Sequence, residues 1–483
     1  MEKIEKKYNS LPIQMRASLW FVICAFLQKG ITCLTVPVFT RLLSVEQYGR
    51  VEVFTSWYNI LLIIMSLNLW GGVYVQGSVK NEDCRKQFSS SLQGLNLTLM
   101  IFWTVIYIIG KNYWNNIFSL STKEFICMII MVWTTSVYSF WAANERIDYK
   151  YKRIVIVTII TSVLKPFVGI VLVYFGEDKA FNRILGLTIV ELLMYSWCFF
   201  EQLYKGKKFY DKKYWQYVLK FNIPLLPHYL SNSILNTADR IMINSFCGAS
   251  EAGIYSLAYS ISMIMTLFNT ALFQTIEPWI YKQIKRKEIT TIKMVAYPCF
   301  IFIGFINVGL ALCAPEVIHI FAPPEYYDAI WVIPPVAASV LFKFSYTFFA
   351  TFEFYYEKKS YITIATFIGA GINIVLNYIC IPRYGYISAA YTTLVCYIIF
   401  SVMHYFFMHI ICKQYIDNVQ PYNIGVLCSL AISMLILCLG ILTIYKYTIL
   451  RYGIILIALV IIFIFRKSII RFAQNIVELK KSK

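Results

Sequence analysis

Apolar runs of about 20 residues, long enough to cross a hydrocarbon core of about 30 Å, recur along this chain from one end to the other. Fourteen can be placed, at roughly 15–43, 51–76, 87–110, 117–143, 154–175, 183–204, 216–246, 253–276, 290–314, 328–351, 361–381, 386–412, 424–445 and 449–466. A chain that lays that much apolar surface in lipid must satisfy its backbone hydrogen bonds within each segment, so helices are expected throughout. Of the 483 residues, 59% are hydrophobic and 14% charged, with a mean hydropathy of +0.62. Soluble domains carry about a quarter charged residues. An all-α polytopic membrane protein follows. The first run exceeds a signal-peptide core and lacks a small-residue cleavage site after it, so it is expected to remain as the first span.

The formal net charge of +19 would suit a nucleic-acid binder, but the placement of the charges argues against one. Threaded through the fourteen spans, 31 of the 44 Lys and Arg fall on the side holding both termini, and 9 on the other. That asymmetry is what the positive-inside rule produces, and it places both termini in the cytoplasm. The clusters Lys205–Lys213, Lys282–Lys287 and Lys480–Lys483 are also suited to anionic head groups. The remaining cations, Lys29, Lys165, Arg240 and Lys343, fall inside spans.

The 13 cysteines are scattered singly, as small apolar residues would be, and show neither a disulfide framework nor a zinc spacing. The four histidines form no HxxxH or HxxE arrangement, so no metal site is expected. No connection is long enough for a soluble domain. Any chemistry must therefore take place inside the bundle.

The widest mid-chain gap is the basic, Tyr-rich stretch 205–220. It divides the chain into an N-terminal lobe (1–204, six spans), a cytoplasmic linker (205–215), a C-terminal lobe (216–412, six spans), two further spans (424–466) and a basic tail (467–483). Spans 1 and 7 then hold equivalent places. LLSVEQYGRVEVF (42–54) follows the first and FCGASEAGIYSLA (246–258) the second. In each, a polar break with a Glu leads to a glycine, Gly49 or Gly253, expected to supply the backbone angles of a tight turn. Six spans separate the copies, so both begin in the cytoplasm. A parallel repeat about a central cleft is a transporter layout.

Polar residues inside the spans fall into rows. On span 7, His228, Ser231, Asn232, Asn236, Asp239 and Arg240 occupy less than half the helix circumference. Adjacent helical residues do not face each other, so Asp239 and Arg240 are expected to meet separate partners. Span 1 aligns Gln28, Lys29, Thr32, Thr35 and Thr40, span 5 aligns Thr158, Ser162 and Lys165, and span 10 carries Ser339, Lys343 and Tyr346. Span 11 has Asn373 and Asn377 near Gly369 and Gly371, and span 6 has Glu191. The bland reading gives Asn373 and Asn377 a packing role, His228 an interfacial one, and Glu191 either a structural lysine or an ion path. The buried cations read differently, because Lys29, Lys165 and Lys343 lie too deep to snorkel easily. With Arg240 they predict a positive cavity, suited to a phosphate or diphosphate, with Gln28, Asn232 and Asn236 as further ligand contacts.

At this point TVPVFTRLLSVEQYGRVEVFTSW (35–57), FNIPLLPHYLSNSILNTADRIMINSFCGASEAGIYSLAYS (221–260) and NIVLNYICIPRYGYISAAYTTLV (373–395) stand in order over most of the chain. Together they resemble the Wzx-type flippases of O-antigen and capsule repeat units, in the MOP (MATE-like) exporter superfamily. That resemblance implies two pseudo-symmetric lobes around a central cationic cleft. It also implies alternating-access movement of an undecaprenyl-diphosphate-linked oligosaccharide across the bacterial inner membrane. Its Asp–Arg motif corresponds to Asp239 and Arg240, and its hairpin to Asn373, Asn377, Pro382, Gly385 and Ala389. Ser388 replaces the family's glycine before the alanine.

No cofactor is expected. Na+ or H+ is the candidate coupling ion, with Asp239 and Glu191 as candidate sites, since midplane carboxylates mark ion paths. The bilayer is a partner of any such chain, and a polysaccharide polymerase and a chain-length regulator are the candidate protein partners. A multidrug exporter of the same superfamily is the alternative, although a cationic cleft suits it poorly. A membrane polymerase or ligase is disfavoured because the outer 315–327 loop carries no Lys or Arg and only His319.

Overall fold

The computed structural model describes residues 12–479, and every element in it is helical. Eleven helices among the described residues are long and apolar enough to cross a membrane. Three expected spans fall short of that measure. Val45–Ser66 and Leu226–Phe246 are too polar, and the apolar stretch Thr448–Ile461 is too short. The chain divides into two compact units, Met1–Thr237 and Ala238–Lys483.

The first unit begins with α1 (Ile13–Leu42), α2 (Val45–Ser66), the short α3 (Gly72–Lys80) and α4 (Arg85–Ile109). It continues through the short α5 (Lys111–Phe118), α6 (Thr122–Ile147), α7 (Tyr151–Phe175), α8 (Lys179–Gly206) and the amphipathic α9 (Lys212–Asn222). Capping boxes start two of these helices. Ser44 and Gln47 exchange hydrogen bonds at the head of α2, and Ser121 and Glu124 do so at α6. Trp141, Cys198 and Phe199 anchor the core where α6 and α8 meet. Helices α7 and α8 approach closely at Gly169 and Gly186. A Cβ on Gly186 would lie 2.8 Å from the Gly169 Cα, so small residues are required there.

The basic segment after α8 is folded onto this unit. Trp215 Nε1 donates to the Ser91 carbonyl at 2.9 Å, and the Phe209 carbonyl would stand 2.0 Å from any Cβ at position 94. The division between the units lies further on, within α10 (Leu226–Phe246), after Thr237.

The second unit continues with α11 (Ala249–Met263), α12 (Met265–Arg286), α13 (Ile292–Leu312) and the short α14 (Ala314–Phe321). Then come α15 (Ile333–Tyr355), α16 (Lys359–Tyr384), α17 (Ser388–Tyr415), α18 (Ile424–Ile444) and α19 (Thr448–Leu479). Helices α15 and α17 form its spine, with Phe344, Phe348, Phe352, Met408 and Ile411 fully or almost fully buried. The eighth expected span is two helices. At Ile264 the backbone switches to bonds of three-residue reach, Ile264 N–H to Ile261 O and Leu267 N–H to Ile264 O, which separates α11 from α12.

Gly49 and Gly253 do not make turns, as had been expected from the two polar breaks. Both lie within helices and are buried. The first break is made by the Ser44 cap, and the second by Gly248, whose φ of 116° is the one a glycine adopts without strain. Gly385 plays the same part between α16 and α17, with φ 74°, and the Ser388 hydroxyl donates to its carbonyl at 2.7 Å.

Candidate functional site

Asp239 and Arg240 are neighbours on α10 and turn to different partners. Asp239 is 2% exposed. Its Oδ2 accepts from the Tyr255 hydroxyl of α11 at 2.8 Å and the Thr393 hydroxyl of α17 at 2.7 Å. Its Oδ1 accepts from Asn377 Nδ2 of α16 at 2.5 Å. Asn377 also donates to Asn373 Oδ1 at 3.3 Å and accepts from the Thr392 hydroxyl. A buried carboxylate is tolerable when its lone pairs are met in this way. Every donor is neutral, and no ion pair joins Asp239 to a cation among the described residues. The surrounding oxygens are carboxylate, amide and hydroxyl.

Arg240 lies over the Tyr259 ring of α11, 4.7 Å from its centroid, and its Nε is buried with no hydrogen-bond partner. No ion pair joins it to a carboxylate among the described residues. Lys343 of α15 stands 5.3 Å from the Tyr397 ring centroid of α17. Both cations lie near enough to act electrostatically on Tyr259. The second unit thus brings together Asp239, Arg240, Lys343, Asn373 and Asn377, five of the residues singled out in the sequence. Pro382 lies in the last turns of α16, just before the Gly385 turn.

The first unit holds the others apart. Lys165 of α7 is bound to Glu191 of α8 at 2.7 Å, with side chains 28% and 4% exposed. The Thr134 and Thr135 hydroxyls of α6 donate to the other Glu191 oxygen at 3.3 and 3.1 Å, and Tyr58 donates to Thr135 at 2.7 Å. Lys165 and Glu191, assigned separately to ligand binding and to ion coupling, are partners of one another. Lys29 and Gln28 are exposed on α1 and belong to no such network. Asn232 and Asn236 form an i, i+4 pair, Asn236 Nδ2 to Asn232 O at 2.6 Å, on the more exposed side of α10.

Sequence reasoning missed the residues that complete these groups. Tyr255, Thr392 and Thr393 hold Asp239 and Asn377, yet in sequence they are ordinary polar residues of apolar helices. The Thr392–Thr393 dipeptide inside an apolar run was the available signal. Arg183, counted as a flank of its span, lies over the Phe39 ring at 3.8 Å and donates to the Lys165 carbonyl at 3.2 Å. Glu353 and His404 escaped notice entirely. They are 0% and 1% exposed and 2.6 Å apart.

Residues 15–284 match the sequence model of the family described as polysaccharide biosynthesis protein. The chain belongs to that family. This polysaccharide biosynthesis protein is 22% identical over 364 residues to "Lsg locus putative protein 1" of Haemophilus influenzae, an alignment covering 72% of this chain and 86% of that protein. Its fold is similar to that of the lipid II flippase MurJ in an inward closed conformation, with a TM-score of 0.72 at 15% identity over 93% of this chain and 100% of that one. It is also similar to the inward-facing conformation of a multidrug resistance MATE family transporter of the MOP superfamily. There the TM-score is 0.55 at 12% identity, over 80% of this chain and 94% of that one. At such identities the likeness carries the fold. This polysaccharide biosynthesis protein is thus a multi-pass membrane protein, helical in its described residues, with a fold like that of MurJ.

Proposed function

We propose that the protein moves undecaprenyl-diphosphate-linked oligosaccharide repeat units from the cytoplasmic to the outer leaflet of a bacterial inner membrane, for surface polysaccharide such as O-antigen or capsule. Both termini are cytoplasmic in this reading, and the two halves of the chain alternate in exposing the cargo. The observation that carries it is a guanidinium at membrane depth, Arg240, held over Tyr259 with no carboxylate partner among the described residues. An intramembrane cation left without an acid calls for an anion, and phosphate oxygens suit a guanidinium fork. Lys343 adds positive charge for the diphosphate, while the lipid tail stays in the bilayer. Family membership and the likeness to a lipid II flippase support the same class of cargo. A multidrug exporter for cationic drugs would place these cations against its own cargo.

Asp239 is the proposed coupling site, for H+ or Na+. Deleting the gene is expected to make cells accumulate undecaprenyl-linked repeat units in the inner leaflet, and the intact chain to clear them. Asp239→Asn preserves volume and removes the charge. It is expected to leave protein level near wild type while transport loses its dependence on the proton or sodium gradient. Unchanged gradient dependence would remove Asp239 from the coupling step, and absence of accumulation in the deletion strain would overturn the flippase reading.

A further inference from the structure

Among the described residues of the second unit, the Glu353–His404 pair is the most deeply buried acid–base contact, and the site described above makes no use of it. Glu353 Oε1 lies 2.6 Å from His404 Nδ1, joining α15 to α17. Two further atoms, Glu353 Oε2 and His404 Nε2, are buried without a hydrogen-bond partner. Aromatic rings enclose the imidazole. Tyr346 stacks on it at 5.2 Å and Phe400 meets it edge-on at 4.5 Å.

The neighbouring helices supply little charge to this place. Tyr361 of α16 packs on Phe407 beside His404, and Tyr281 of α12 packs on Tyr355, two residues past Glu353. Helices α13 and α18 present Phe300, Leu427 and Leu430 of the apolar core. Lys343, on α15 itself, is ten residues away, about 15 Å along the helix. Tyr259 of α11 stands near Lys343 rather than near Glu353. His404 is the one ion-pair partner of Glu353 among the described residues.

Such a pair cannot rest comfortably as neutral imidazole and carboxylate, because one net negative charge would be left in an apolar core. The helix end aggravates this. Glu353 sits in the last turn of α15, where the helix dipole is negative and a carboxylate has the wrong sign. One proton taken from water makes the pair net neutral, as imidazolium with carboxylate or as imidazole with carboxylic acid. The two forms differ only by the position of that proton along the 2.6 Å contact, so the proton belongs to the pair rather than to either residue.

We propose that Glu353 and His404 form a proton-binding site of the second unit, distinct from Asp239, that takes up and releases one proton during the transport cycle. Thr393, which holds Asp239, and His404 are eleven residues apart on α17, about 16 Å along the helix axis. In the orientation proposed above, Asp239 lies towards the outer face and Glu353–His404 towards the cytoplasm. The cytoplasmic end is where a cytoplasmic proton would enter. The role in transport rests on the flippase reading, whereas the proton binding does not.

The test uses the full chain in lipid nanodiscs and, separately, in cells. Infrared difference spectra are taken between about pH 5 and about pH 8, across the range in which histidine changes charge. The wild type is expected to show a carboxylic-acid or imidazolium band pair that is lost in both Glu353→Gln and His404→Gln. Gln at 353 keeps the volume and a hydrogen-bonding group, so the variant is expected to remain folded. In cells, repeat-unit clearance by Glu353→Gln is expected to vary with external and internal pH less than about half as much as in wild type, since pH–rate profiles report essential titrating groups. Spectra identical to wild type in both variants would overturn the proposal and leave the pair as a structural tie. A difference band with an unchanged pH profile would overturn its place in the cycle. If the wild type clears no lipid-linked repeat units at any pH, the flippase reading fails, and the spectra still decide the proton site.

Discussion

Arg240→Ala is expected to abolish surface polysaccharide while the protein accumulates in the membrane at wild-type level. The side chain makes no ion pair among the described residues and rests on the Tyr259 ring, so its loss removes a cation–π contact worth about 0.5–2 kcal/mol from the fold. Much more is lost from the proposed cargo complex. Charge-assisted hydrogen bonds contribute about 1.5–3 kcal/mol each, so losing one lowers affinity for a diphosphate by about tenfold to a hundredfold, and the fork offers more than one. Arg240→Lys keeps the charge but not the fork and is expected to retain a partial phenotype. Lys29→Ala, at an exposed position of α1, should also lower export without touching stability. Immunoblotting of membranes beside staining of surface polymer reads both effects. Full surface polysaccharide in Arg240→Ala would remove the cationic cargo site.

The second large effect concerns stability. Lys165→Ala leaves Glu191, 3% exposed, with two threonine hydroxyls and no cation. Breaking one side of a buried pair costs about 3–5 kcal/mol, because the remaining charge is uncompensated. Protein yield and thermal stability in detergent should therefore fall sharply, and Glu191→Ala should fall comparably. The double change Lys165→Met with Glu191→Leu removes both charges and fills the space, and it is expected to restore much of the loss. Export by the double variant then separates two roles for Lys165. Recovery of polymer with recovery of stability marks the pair as a tie between α7 and α8. A stable but non-exporting double variant would mark Lys165 as a cargo ligand.

The path of the backbone was largely legible in the sequence, because spans are long apolar runs and lipid leaves helices as the answer. The exceptions have local causes. The amphipathic α9 lies in a stretch read as a linker because its charges mask its apolar side, with Val218 fully buried and Trp215 bonded to Ser91. The break at Ile264 involves neither proline nor glycine, so it left no mark in the pattern.

The sites were legible in part. Charged residues inside spans are conspicuous, and Asp239, Arg240, Glu191, Lys165 and Lys343 stood out. Their partners did not, because pairing is a property of the fold rather than of spacing. Thr393 is 154 residues from Asp239, and Lys165 and Glu191 could be read as serving two functions until they were found 2.7 Å apart. Glu353 was lost for a simpler reason. The expected span ended at 351, two residues short of it, whereas α15 runs on to Tyr355.

The way each unit manages buried charge divides the labour of the molecule. In the first unit, Glu191 answers Lys165, Arg50 answers Glu124, Arg153 answers both Glu145 and Glu201, and Arg85 answers Asp148. Each of these acids is met by a cation beside it. In the second unit, Arg451 and Glu316 repeat that arrangement at one edge, but Asp239 is held by neutral donors and Glu353 by an imidazole. In the proposed cycle a proton or cation arrives and leaves there without tearing an ion pair apart. One half of the chain spends its acids on ion pairs, and the proposed proton and ion sites lie in the other.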